Sequence, residues 1–124
     1  MSQQSMIERI ERHFAPHPSE GILERFTYPP RFANGREDVC AVKHQVGLFR
    51  ETDIVYLFWG DDKGLQNIQI LHSDSFSGDH LEIDTLSGEG DEVTIAYSSG
   101  GGISDKGPWS EMKVFNLVNK EWLL

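Results

Sequence analysis

The chain has 124 residues, 38% of them hydrophobic, 25% charged and 10% aromatic, and a formal net charge of −9. That composition suits one soluble globular domain and argues against a disordered chain. A carboxylate-rich surface disfavours nucleic acid, and no apolar run approaches the ~18 residues that a membrane helix needs.

The charge is unevenly spread. Residues 1–60 hold seven bases against eight acids, whereas residues 61–124 hold four lysines against twelve acids and no arginine. The second half is expected to attract a basic protein partner. The N-terminus, MSQQSMIERIERHF, lacks the apolar stretch of an export signal. Cys40 is the single cysteine, which rules out an internal disulfide and points to a reducing, cytoplasmic setting.

In chain order, the first predicted element is a helix. Met6, Ile7, Ile10 and Phe14 recur at helical spacing, Ser5 is its expected N-cap with Glu8 at the reciprocal position, and Pro16 closes it. Ile22, Leu23 and Phe26 suggest one weak helical turn after Ser19. The FTYPPRF stretch, 26–32, reads as an extended linker across the domain surface, so that 1–38 is helix plus linker and 39–124 is sheet.

Strands follow from Val39. The first is 39–46, and the second, IVYLFW at 54–59, is apolar at every position and requires cover on both faces. A GDDKG turn, with glycine in the left-handed position, leads to 65–73. Then come 80–86 and 92–98, with Leu81, Ile83, Val93, Ile95 and Tyr97 facing inward by alternation. A last hairpin is expected over 112–117 and 121–124, with a helix over 110–119 as the competing reading. The whole predicts an α+β domain: a short N-terminal helix, then a mainly antiparallel meander of about six strands, as a curled sheet or partial barrel. One short helix cannot cover such a sheet, so either curling or a homodimer is expected to supply the rest.

The densest chemistry lies in HSDSFSGDHLEID, residues 72–84. His72, Asp74 and His80 are the weak metal candidates, but alternation sends His72 inward with Ile68 and Ile70, and His80 outward with Glu82 and Asp84. The same segment fails as a calcium loop, because serines occupy three carboxylate positions. SSGGG at 98–102 lacks the helix start that a phosphate cradle needs. Cys40 and His44 lie ~13 Å apart along one strand, too far for a nucleophile–base pair. Asp61 and Asp62 sit in a turn and serve it.

The aromatics at strand ends are more suggestive. Trp59, Tyr97 and Trp109, with His72, form the candidate ligand-binding set. No cofactor is implied. The residues favour a non-enzymatic binding or interaction module with an acidic face; the alternative is a small-ligand binder or enzyme with an aromatic pocket, and behind it a metal-dependent enzyme.

Overall fold

A computed structural model of the chain describes residues 2–14, 24–33, 36–46, 52–74, 81–100 and 108–123; for 24–30, 46, 52 and 71–74 the backbone alone is described. The elements run α1 (Gln3–Phe14), β1 (Glu24–Phe32), β2 (Val39–Val46), β3 (Thr52–Asp61), β4 (Gly64–Asp74), β5 (Leu81–Glu89), β6 (Glu92–Ser99), β7 (Trp109–Asn116) and β8 (Glu121–Trp122). All pairings are antiparallel, in two four-stranded sheets ordered β1-β2-β3-β4 and β5-β6-β7-β8.

The α+β class and the meander agree with expectation, but the strands number eight and divide between two sheets, with no closed barrel among the described residues. The architecture is three-layered. Met6, Ile10 and Phe14 of α1 pack with Cys40, Val42 and Phe58 on one face of the first sheet. Val39, Ala41, Val55, Leu57 and Trp59 on its other face pack against Leu81, Leu86, Val93, Ile95, Tyr97 and Phe115 of the second sheet. Residues 54–59 of β3 are therefore apolar throughout because a helix lies on one side of them and a sheet on the other. The missing cover comes from this chain's own second half, not from curling or a second copy.

Ser2, rather than Ser5, caps the helix: its Oγ accepts from Ser5 N at 3.2 Å, and its carbonyl accepts the first helical bond from Met6 N at 3.0 Å. The Pro-rich stretch is a strand rather than a linker. It forms β1, an edge strand whose register with β2 slips between Thr27 and Arg31. Proline has no N–H to donate, so Pro29 and Pro30 fit a sheet only at such an edge irregularity. Phe26 lies in this strand, and the weak turn expected before it falls outside the described residues.

Turn chemistry follows the sequence closely. Asp61 Oδ1 accepts from Lys63 N at 2.8 Å, and Gly64 takes a φ of 114°. The competing helix over 110–119 is replaced by β7 and a tight turn, where Asn116 Oδ1 accepts from Val118 N and Asn119 N.

Two arginines tie the layers together at the β1–β5 side. Arg31 Nη1 donates to the carbonyl of Asp84 at 2.8 Å, and Arg36 Nη1 donates to the carbonyl of Gly90. Arg36 also pairs with Asp38 at 3.3 Å. The first half, which holds every arginine, thus reaches backbone oxygens of the acidic second half. No helix among the described residues is long and apolar enough to cross a membrane.

Candidate functional site

The second sheet positions the candidate site at the end where β6 leaves and β7 enters. Register sets Glu82 and Ser110 on either side of Ser98, forming one polar row across β5, β6 and β7. The alternation of β6 buries Val93, Ile95, Tyr97 and Ser99, which turns this Ser98 row to the outer face. Trp109 stands opposite Ser99 and is half-buried. Glu82, Ser98, Ser99, Gly100, Pro108, Trp109 and Ser110 line an open cleft of about 570 Å³.

Behind the cleft, Trp109 meets Tyr97 edge to face with ring centroids 6.1 Å apart. The Tyr97 hydroxyl donates to Glu111 Oε2 at 2.7 Å. Burial, and then the hydrogen bond and charge of Glu111, push that hydroxyl far above its ordinary ionisation range. It is a fixed donor, not an acid–base group at neutral pH, and it braces the wall that carries Trp109.

The predicted aromatic set divides. Tyr97 and Trp109 come together, whereas Trp59 is buried against Phe115, its ring centroid 5.4 Å away. Phe115 pairs with Val93, four residues along β6 from Tyr97, a separation of ~13 Å. Trp59 therefore sits in the interior near the other end of the sandwich.

A β-bulge interrupts the alternation of β4 just before His72. Val55 pairs with Leu71 and Tyr56 with Gln69, so Ile70 is the extra residue. The count shifts by one there, and the backbone of His72 pairs with that of Ile54. The side chains of His72 and Asp74, and the whole of His80, lie outside what the structure describes. Among the described residues no group of three or more His, Cys, Asp or Glu side chains gathers.

Cys40 is fully buried beneath α1, as a small apolar residue would be. His44 is also buried, its ring stacked on Phe14 at 4.2 Å. Burial pushes the Cys40 thiol from an ordinary 9.0 up to about 12. In the unfolded chain the thiol ionises first as pH rises. The folded form therefore keeps the full benefit below pH 9 and loses it between pH 9 and about 12. The urea midpoint of the native protein is expected to fall more steeply over that window than that of Cys40→Ala. Parallel curves for the two proteins would contradict the burial argument.

The residue that sequence reading passed over is Asp53. It is fully buried, and its Oδ1 accepts from Gln45 Nε2 at 2.9 Å while its Oδ2 accepts from Leu81 N at 3.0 Å. Its signal was available: Asp53 shares the alternation of Val55, Leu57 and Trp59, so an acid opens the buried row of the most apolar strand. Its role is to tie the first sheet to the start of the second. Glu82 read only as part of an outward acidic row and Ser98 as part of SSGGG, because no local spacing unites them with Ser110; three strands had to be aligned first. Compared with known protein families, with curated proteins and with solved structures, the chain matches none.

Proposed function

We propose that the protein is a non-enzymatic binding module that uses its acidic second sheet to engage a basic partner, seating a cationic side chain in the Glu82–Trp109 cleft. The observation that carries this reading is the lining itself: Glu82, Trp109 and three serines border one open space, the Glu82–Ser98–Ser110 row from the outer face and half-buried Trp109 from the strand end. A carboxylate attracts a cation, an indole face adds cation–π attraction, and hydroxyls accept the remaining N–H groups. The rest of strand β5, as far as the β5–β6 turn at its other end, carries charge of the same sign. Glu82, Asp84, Glu89, Asp91 and Glu92 are all exposed on β5, β6 and their turn, and Glu89 stands directly opposite Glu92. That pair lies seven residues along β5 from Glu82, so it adds to the field that draws a basic partner without touching the cleft. A single buried, reduced thiol suits a cytoplasmic setting for this work.

The test is a titration with a decalysine peptide, followed by tryptophan fluorescence and calorimetry. Trp109→Ala is expected to weaken binding about tenfold and Glu82→Gln about threefold, in keeping with the usual strengths of cation–π and exposed ionic contacts. Asp62→Asn, at the far GDDKG turn, serves as the control and leaves affinity within twofold (~2×). Binding is expected to weaken steadily as salt rises. Absence of binding at low salt, or binding indifferent to both cleft variants, overturns the reading. A second reading, a small-ligand pocket on the same cleft, draws on the braced Trp109–Tyr97 pair. Saturable quenching of Trp109 by a neutral aromatic ligand, with no response to decalysine, would favour it.

A further inference from the structure

Edge strands are where a sheet is open to pairing, and among the described residues three of the four sheet edges are guarded. Strand β1 carries Pro29 and Pro30 at a slipped register. Strand β5 bears Glu82, Asp84 and Glu89, slips register after Ile83, and is held by Arg31 at Asp84. Strand β8 is two residues long, so the edge on that side is mostly residues 109–114 of β7, which carry Glu111 and Lys113. Charges, prolines, bulges and shortness are the devices that stop edge-to-edge pairing.

Strand β4 is the terminal strand on the other side of the first sheet, and it runs Gly64–Asp74. From Gly64 to His72 it reads GLQNIQILH, with no Asp, Glu, Lys, Arg or Pro. In a chain of net charge −9, so long a neutral edge is the place where another acidic molecule meets least repulsion. The bulge at Ile70 is its one irregularity.

We propose that this edge is an interaction surface for a second copy of the chain, β4 pairing antiparallel with β4 about a two-fold axis at Ile68. The sequence matches itself at the centre of that pairing, over Asn67 to Gln69, while Gln66 falls opposite Ile70, where the bulge ends the regular ladder. Ile68 meets Ile68, on the side of the sheet where it already packs against the sandwich core. Asn67 meets Gln69 on the opposite, exposed side, where paired amides can hydrogen-bond. Backbone bonds along the edge supply the attraction, as in strand addition generally, and the side-chain pairs fix the register. A basic partner has the acidic second sheet to go to; the neutral edge suits a like-charged one. This inference is independent of the cleft, and either can fail alone.

Sedimentation of the native protein between about 10 μM and about 1 mM tests it, over the span where a weak edge pair becomes populated. A reversible monomer–dimer equilibrium is expected. Asn67→Lys with Gln69→Lys puts like charges opposite each other and should weaken the dimer at least tenfold, with the thermal midpoint of the monomer retained. Mixing that variant with Asn67→Glu plus Gln69→Glu should restore a dimer of one chain of each kind. A protein that stays monomeric throughout, or a dimer unmoved by the lysine pair, overturns the proposal. A dimer weakened by the lysines but not restored in the mixture overturns the Ile68 register.

Discussion

Phe58→Ala is expected to remove about 4 kcal/mol of stability, a large fraction of what a domain of this size possesses. Phe58 is fully buried on β3, opposite Cys40 in register, and its ring meets Phe14, Tyr56 and His13 at centroid distances of 5.8, 5.9 and 5.6 Å. Those partners sit on both α1 and the sheet, so truncation opens a cavity at the seam between two layers. A helix of twelve residues has little stability alone in water, and α1 holds its place through Met6, Ile10 and Phe14. The loss should therefore concentrate on helix docking. Urea unfolding measures the total, and thiol labelling of Cys40 measures the seam. Labelling should accelerate by more than global unfolding predicts, because Cys40 shares the Phe58 cluster. A loss below about 1 kcal/mol, or Cys40 still inert, would mean that the seam repacks around the smaller side chain.

The same seam shows how far residues alone carry the fold. The helix was legible from the spacing of Met6, Ile10 and Phe14, and β2 from Val39 to Val46, because each repeats one period without interruption. The need for two covers over β3 was legible too, from IVYLFW. What supplied the second cover was not, since nothing in a meander marks the place where one sheet stops and the next begins. The break falls between β4 and β5, in the very segment that reads as metal chemistry. Proline misled at β1 for a related reason. Pro29 and Pro30 exclude a central strand, and only knowledge of which strand lies at the edge converts them from linker to sheet. A bulge is likewise invisible to a parity count, and the single extra residue at Ile70 breaks an alternation that the residues of β4 present as continuous. Of the candidate site, Tyr97 and Trp109 were legible as strand-end aromatics; the Glu82–Ser98–Ser110 row needed the register of three strands.

Asp53→Ala is expected to cost about 3 kcal/mol, or a fall of about 10 °C in Tm for a chain of this length. The carboxylate accepts from Gln45 Nε2 at 2.9 Å on β2 and from the backbone N–H of Leu81 at 3.0 Å, the first residue of β5. Leu81 is fully buried, so its N–H has no ready access to water once the acceptor is gone. That orphaned donor carries most of the cost, while Gln45, half-buried, recovers part of its solvation. Asp53→Asn keeps the shape and one acceptor but presents an N–H₂ to a donor, so about half the loss should remain. Gln45→Ala should cost about 1 kcal/mol less in the Asp53→Ala background than alone, because both changes remove the same bond. Amide exchange gives the sharper discrimination. If Asp53 ties the two sheets at the entry to β5, protection should fall first at Leu81 and its partner Ser99, and last along β2 and β3. Uniform loss along both sheets would instead make Asp53 one more contributor to a common core, and a stability change under about 0.5 kcal/mol would remove it from the account of how the sheets are joined.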